Sequence, residues 1–302
     1  MTSLKTILYF SIFNYPVTKD EIITYSDCCS KDEIEEELNE LKENNIIYKI
    51  NNYYLKTNNP EFIEKRLKGN EMAKKVMPKA MKMANKIAQF PFVRGVSFSG
   101  AFSKGYFDEN GDVDFFIITA KNRLWIARTS LILYKKIFLL NSKKYFCVNY
   151  FISEKDLSVA EKNKFTAMEV ATLIPTHGKK IFEEFFLKNE WVNDYFPNVE
   201  LVGKVNDTKK IEPSLFKKSS EWFLNSRVGN LFEHFFHKLT LKKWKFKFKS
   251  IPEEEFNIAM KSTEDVSKHH PNNYQKKVIE SLNTIYFQVK KNHQIVLEPE
   301  HA

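Results

Sequence analysis

The N-terminal part of the chain alternates apolar and polar residues, first at helical spacing and then at strand spacing. Three amphipathic helices followed by two short strands are predicted, over residues 4–13, 18–25, 30–44, 46–50 and 53–56. Ser30 and Glu33 form a capping-box pattern before the third helix, and Asn51 and Asn52 supply a turn between the strands. This order is typical of a winged helix-turn-helix, which we predict for residues 1–58.

The charge of this segment opposes DNA binding. Its third helix, which would be the recognition helix, carries Glu33, Glu35, Glu36, Glu37, Glu40 and Glu43. These carboxylates would repel a phosphate backbone. Residues 1–60 hold six lysines and ten acidic residues, a net charge of −4. We therefore expect contact with protein through the winged domain and no binding to duplex DNA.

A long helical pattern and a strand-turn-strand unit follow. Residues 60–90 have helical spacing, with a break expected near Pro78. From Val96 the spacing changes to that of a strand, which runs into the small residues at 99–101. Residues 115–118 form an apolar run, as a buried strand requires.

Two aspartates stand at the start of that buried strand. Asp112 and Asp114 flank Val113, and side chains at i and i+2 of an extended segment point to the same side. The carboxylates therefore repel one another, and a hard cation such as Mg²⁺, which also binds substrate phosphates, relieves the repulsion. On the upstream turn, Gly100 lets backbone N–H groups approach a phosphate and Lys104 adds positive charge.

A simpler alternative stays open for the same residues. Asn110 and Gly111 would form a turn between two hairpin strands, and Asp112 would then be a solvated surface residue.

Residues 95–119 resemble the DNA polymerase beta-like nucleotidyltransferase superfamily, whose signature is a strand, a Gly-Ser turn, a spacer of about ten residues and an Asp-x-Asp strand. Gly100 and Asp112 have this spacing, and Ala101 stands where the family usually has serine. The resemblance implies a mixed sheet with helices over residues 59–203. It also implies transfer of a nucleotide (NMP) from an NTP to an acceptor, with release of pyrophosphate.

The resemblance further implies which residues form the site. Asp112 and Asp114 would be the catalytic residues and would bind Mg²⁺ or Mn²⁺. The triphosphate would lie on the turn, against Ser99, Gly100, Ala101, Ser103 and Lys104. A third carboxylate often comes from a later strand, and the strand predicted over 143–152 offers Asn149, which can bind a cation through its amide oxygen but cannot be a general base.

The base and the acceptor are not identified by sequence. Glu154 and Asp156, just past that strand, and Glu169, on a predicted helix, are weaker candidates, and His177 is expected in a polar loop. Ala101 and Asn149 also favour a second hypothesis. In it the chain is a nucleotide-sensing adaptor that keeps the pocket without turnover.

The C-terminal part is predicted to be mostly helical, over 204–302. Residues 214–240 form one long helical pattern with an aromatic stripe expected in the core. Lysines and aromatic residues then alternate over 243–249. This alternation favours a strand with one cationic face. It suggests a third hypothesis, in which the chain binds nucleic acid. His269 and His270 are expected in a loop before a final helix.

Composition is that of a globular α+β protein. The 302 residues are 43% hydrophobic with a net charge of +9, so a polyanionic partner is expected. The cysteines Cys28, Cys29 and Cys147 are too few for a disulfide framework and badly spaced for zinc, so small buried hydrophobes are expected there. With neither a signal segment nor a membrane-spanning run, we expect a cytoplasmic protein without a membrane partner.

Overall fold

A computed structural model describes residues 1–27 and 30–301. Cys28 and Cys29 lie outside the described residues, so the expectation for them is not addressed. The described chain is mixed α/β, with a three-stranded sheet near the N-terminus and a five-stranded mixed sheet at the centre. The predicted α+β class is confirmed at this level. Within the described ranges, no helix combines the length and apolar character needed to cross a membrane.

The N-terminal elements follow the predicted order, with one additional short strand at residues 17–18 that was not predicted. They are α1 (Thr2–Ser11), β1 (Val17–Thr18), α2 (Lys19–Thr24), α3 (Lys31–Glu43), β2 (Tyr48–Ile50) and β3 (Tyr53–Leu55). The strands pair antiparallel in the order β1-β3-β2. Ser30 caps α3 by accepting the backbone N–H of Glu33, and Thr18 and Glu21 complete a full capping box on α2. The stripe of α3, with Ile34 among its residues, is buried against α1.

One glutamate of the acidic helix α3 has a structural role. The Glu37 carboxylate accepts the backbone N–H groups of Thr2, Ser3 and Leu4, at 3.0, 3.3 and 3.2 Å. These N–H groups begin α1 and have no partner inside that helix, so the carboxylate satisfies them and opposes the helix dipole. At least one of the acidic residues of α3 therefore stabilises the fold itself.

The long helix α4 (Glu61–Ala88) is continuous, so the expected break near Pro78 is wrong. A proline inside a helix removes one N–H donor. Buried alanines on either side of it keep the helix packed on the central sheet: Ala73, Ala80 and Ala84.

The central sheet follows α4 and has the strand order β7-β4-β5-β6-β8, in which β8 (Val266–Lys268) comes from the C-terminal part. Its first elements are β4 (Val93–Ser99), α5 (Gly100–Ser103), β5 (Asp114–Thr119), α6 (Leu124–Phe138), β6 (Cys147–Ser153), α7 (Lys164–Ala171), β7 (Ile174–His177) and α8 (Lys179–Lys188). Strands β5 and β6 are parallel, with α6 as their crossover, and the other pairs are antiparallel. His177 therefore ends a buried strand and does not lie in a polar loop as expected.

The C-terminal part contributes to the same sheet. It contains α9 (Leu215–Leu224), α10 (Arg227–Lys247), α11 (Glu253–Ala259), β8 (Val266–Lys268) and α12 (Tyr274–His293). Because β8 pairs with β6, a strand from the segment predicted as helical after residue 204 is part of the central sheet.

Three expectations for α9 and α10 are wrong. The single helix over 214–240 is two helices, with a corner at which Gly229 packs against the Leu224 carbonyl so closely that a Cβ would lie 1.7 Å from its oxygen. Residues 243–247 are the last turns of α10 and not a strand, because no breaker residue ends that helix earlier. The aromatic stripe predicted for the core is largely exposed.

Candidate functional site

The turn after β4 lies directly against the aspartate pair. Ser99 and Asp114 are opposite one another in the antiparallel pairing of β4 and β5. Gly100 follows with φ +65°, a backbone conformation that strongly favours glycine, and a Cβ there would lie 2.6 Å from Asp114 Oδ2. The turn and the carboxylate are thus in contact through a position that only glycine fits.

The aspartates meet a third potential ligand from β6. Asp112, Asp114 and Cys147 each offer an atom within 4.8 Å of the others. Cys147 is free and buried, as expected, and is paired with Asp114 across the parallel strands. The sequence did not indicate that Cys147 lies beside the aspartates, because it does not show the register in which β5 and β6 pair across the α6 crossover.

Asn149 also lies beside the cluster. Phe115 pairs with Val148 and Phe116 with Tyr150, so Asn149 is the extra residue of a β-bulge. A bulge redirects a side chain, and the Asn149 amide here donates to Asp114 Oδ1 at 3.2 Å and to Cys147 Sγ at 2.9 Å.

The electrostatics of this cluster favour a cation. Burial, with the nearby Asp112 second, raises the pKa of Asp114 to about 7. Burial and the two carboxylates raise the pKa of the Cys147 thiol. The carboxylate oxygens of Asp112 and Asp114 are hard donors of the kind that Mg²⁺ and Mn²⁺ bind. Turning the Asn149 amide over would add its oxygen to the set.

Lys104 links the turn to a helix. Its ammonium donates to the Gly100 carbonyl at 3.1 Å and to Glu169 Oε1, on α7, at 2.7 Å. Sequence offered Glu169 only as a weak candidate, and the structure brings it to the site. The Ser103 hydroxyl donates to the Gly100 carbonyl at 2.9 Å, so it stabilises the turn.

A cleft of about 640 Å³ opens over the aspartate pair. Gly100, Ala101, Lys104 and Asn149 line it with both aspartates. Its other walls come from distant segments. These are Tyr9 and Phe10 of α1 with the following Phe13, Lys65 and Arg66 of α4, and the segment His269, His270, Pro271 and Asn272 with Tyr274 at the start of α12. An inner pocket of about 100 Å³ adjoins it and includes Ser99, Glu161 and the buried Lys268.

Two weaker candidates lie elsewhere. Glu154 and Asp156 follow the far end of β6, where Ser153 pairs with Thr119, five residues along β5 from Asp114. At about 3.3 Å per residue, this is roughly 17 Å from the aspartate pair. Their side chains accept local backbone N–H groups, from Lys121 and Ser158.

Comparison with known proteins identifies no relative. No protein-family model, no curated protein and no solved structure matches the chain.

Proposed function

We propose that this chain is a metal-dependent nucleotidyltransferase, which transfers an NMP group from an NTP to an acceptor and releases pyrophosphate. The observation that carries the proposal is the contact between Gly100 and Asp114, with Asp112 in the same cluster, at the floor of a cleft. The resemblance of residues 95–119 to the DNA polymerase beta-like superfamily agrees with this arrangement.

Each residue then has a role. Asp112 and Asp114 would hold Mg²⁺ or Mn²⁺, with Asn149 as a further oxygen ligand, and the ion would neutralise charge on the triphosphate. Gly100 and Ala101 line the cleft, and their backbone N–H groups would donate to phosphate oxygens. Lys104 adds positive charge beside that backbone.

In the transfer itself, an acceptor oxygen forms a bond to the α-phosphorus while the bond to the pyrophosphate oxygen breaks. Glu169 lines the cleft and is not one of the two aspartates that would bind the metal. We propose that it is the general base that takes the proton from the acceptor hydroxyl. Its ion pair with Lys104 positions both side chains.

The N-terminal segment would then form part of the enzyme. Its elements have the order of a winged helix-turn-helix, and we propose that fold for residues 1–58 as a module that contacts protein. Aromatic residues of α1 line the cleft, which supports a role in enclosing substrate and not in reading duplex DNA. A cytoplasmic location remains our prediction.

One observation supports the sensing adaptor as a second candidate. Where the resemblance leads us to expect a third carboxylate, β6 presents Cys147 and Asn149, neither of which is an anion here. Such a site would bind a nucleotide with little turnover. The third hypothesis, nucleic-acid binding by a strand over 243–249, loses its basis because these residues end a helix.

The experiment is incubation of the purified protein with Mg²⁺ or Mn²⁺ and each labelled NTP, with nucleotide binding and pyrophosphate release measured separately. We expect binding and release in the wild type. Asp112→Asn and Asp114→Asn should lower metal-dependent binding about a hundredfold, because a metal contact is worth several kcal/mol. Asp156→Asn makes the same charge change at the far end of β6 and should bind normally.

The outcomes separate the candidates. Binding without release, lost in both aspartate variants, supports the adaptor. If circular dichroism shows folded variants whose nucleotide affinity equals that of the wild type, the aspartate site is refuted.

A further inference from the structure

Two helices on the outside of the molecule present apolar side chains to solvent. Trp222 is 82% exposed and Phe246 is 82% exposed, values that are unusual for such large side chains. The other apolar residues of α9 and α10 with more than a third of their surface exposed are Leu215, Phe216, Phe223, Val228, Leu231, Phe232, Phe235 and Leu239. We call these ten residues the apolar stripe.

The stripe follows one side of α10. Val228, Leu231, Phe235, Leu239 and Phe246 are separated by three, four, four and seven residues, which places them on one side of a helix. The opposite side packs on the protein, with Trp244 buried and His237 stacked on Trp125 at 4.5 Å. The helix therefore packs on the protein with one side and exposes an apolar side to solvent.

The exposed charges of α9 and α10 themselves have a single sign. The exposed ionised residues of these two fully described helices are Lys218, Arg227, Lys238, Lys242, Lys243, Lys245 and Lys247. The two carboxylates of the same helices face inward. Glu221 pairs with Arg94 at 2.8 Å, and Glu233 accepts the N–H groups of Trp125 and Ile126 at the start of α6.

The cations are also crowded together. The pKa of Lys243 is lowered, first by neighbouring Lys136 of α6, with Lys247 and Arg128 among the other causes. Repulsion of this kind is relieved by an anionic surface that contacts several lysines at once.

A second copy of the chain fits the stripe poorly. In a symmetric dimer the stripe would face itself, and its lysines would face the same lysines. The acidic helix α3 of another copy would match the charge. Its exposed side, however, consists of polar residues such as Glu36, Asn39 and Glu40 and would leave the apolar residues uncovered.

Aliphatic residues such as Leu215, Leu231 and Leu239 provide no stacking surface for nucleic-acid bases. They do match the acyl region of a bilayer, and an apolar helix side bordered by lysines is the pattern of helices that lie in a membrane interface.

We propose that α9 and α10 bind the surface of an anionic lipid bilayer, with the apolar stripe inserted among the acyl chains and the lysines on the phosphate headgroups. This differs from the expectation, drawn from sequence, of no membrane partner. That expectation was based on the lack of a signal segment and of a membrane-spanning run, neither of which bears on a helix that lies on a membrane surface.

The test is co-sedimentation of the full chain with vesicles of phosphatidylcholine, alone or with about one third phosphatidylglycerol. We expect binding to the anionic vesicles that weakens as salt rises. A triple variant, Lys242→Gln with Lys243→Gln and Lys245→Gln, should bind about a hundredfold more weakly, since each lysine contributes roughly fivefold. The matched control, Lys68→Gln with Lys74→Gln and Lys82→Gln, removes three exposed lysines of α4 and should bind like the wild type.

Insertion of the stripe is measured separately. Trp222 fluorescence should shift to shorter wavelength with anionic vesicles, and Trp222→Phe should remove the shift while leaving the fold intact, because the side chain is exposed. Trp222→Ser with Phe235→Ser should weaken binding at least tenfold through lost apolar insertion.

Several results would overturn the proposal. These are absence of sedimentation with anionic vesicles at low salt, and equal loss of binding in the α4 control. A dimer in light scattering that Phe235→Ser disperses would assign the stripe to a second copy. Salt-sensitive binding to an oligonucleotide but not to vesicles would assign it to nucleic acid.

Discussion

At the scale of single residues, the site depends on positions where one side chain or its absence decides the geometry. Gly100 has positive φ and touches Asp114, and Asn149 leaves the strand pairing to reach the same carboxylate. Both residues therefore contact the carboxylate of Asp114. The chemistry of the site is thus concentrated in a few atoms of β4, β5 and β6.

Gly100→Ala should lose metal-dependent nucleotide binding, because the new Cβ would lie 2.6 Å from Asp114 Oδ2 and displace that carboxylate. We expect a loss of tenfold or more, on the order of 1.4 kcal/mol, in a nucleotide titration. Gly105→Ala is the matched control. Gly105 also has positive φ, but the nearest atom to a Cβ there lies 3.7 Å away. If both variants lose affinity equally, backbone strain and not the contact is responsible.

His177 is a second residue with a predictable effect. Burial, aided by Lys209 and Lys217, lowers its pKa from the ordinary value of 6.5 to about 4. The unfolded chain therefore takes up the proton first as pH falls, and the free energy of unfolding decreases between about pH 6.5 and pH 4, by about 3 kcal/mol for this group.

His177→Gln should flatten that part of the pH dependence in urea unfolding series. His293→Gln, at an exposed position, should leave it unchanged. His269 and His270 also have pKa values lowered to about 4 by burial, so part of the slope should remain in both variants.

At the scale of elements, helix ends are satisfied by side chains from other elements. Glu37 of α3 caps α1, and Glu233 of α10 caps α6. Each carboxylate satisfies N–H groups that a helix leaves free and favours the positive end of its dipole. These contacts give Glu37 and Glu233 a structural role at the N-terminus of another helix.

Glu37→Ala should lower the free energy of unfolding by about 1 to 2 kcal/mol, the usual value of a helix cap. Glu36→Ala, on the exposed side of the same helix, is the control and should change it by less than about 0.5 kcal/mol. Equal effects in chemical denaturation would mean that the charge of α3, and not the cap, matters.

At the scale of the whole molecule, the cleft exists because the N-terminal segment is attached to the core. Arg66 of α4 donates to both carboxylate oxygens of Glu21, at 2.7 and 2.8 Å, and to the Pro16 carbonyl. Its guanidinium also lies over the rings of Tyr15 and Tyr53, 4.4 and 4.8 Å from their centroids. One buried side chain therefore joins residues 1–58 to α4.

Arg66→Met should cost about 3 kcal/mol, since it leaves a partly buried carboxylate unpaired. Amide hydrogen exchange should then accelerate in α1 and α2 more than in the central sheet. Lys68→Met, on the exposed side of α4, is the control. A uniform increase in exchange over the whole chain would contradict a local attachment.

Much of the fold was accessible from sequence because it depends on local patterns. The helices and hairpin of the first 57 residues, the strand before Gly100 and the buried strand after Asp112 follow from spacing, caps and turn residues. The break at Pro78 and the strand at 243–249 were wrong for a related reason. Local pattern measures a tendency, and packing or helix continuity overrides it.

The sequence by itself determined that Asp112 and Asp114 lie together, since they are two residues apart where the chain enters β5, which begins at Asp114. Only the tertiary structure decided that Cys147 and Glu169 join them and that α1 closes the cleft, because these contacts bring together residues far apart in the chain. It also decided that the aromatic stripe of α9 and α10 is exposed. Helical spacing shows which residues share a side of a helix, but the neighbours that cover a side are chosen by the packing of the whole molecule.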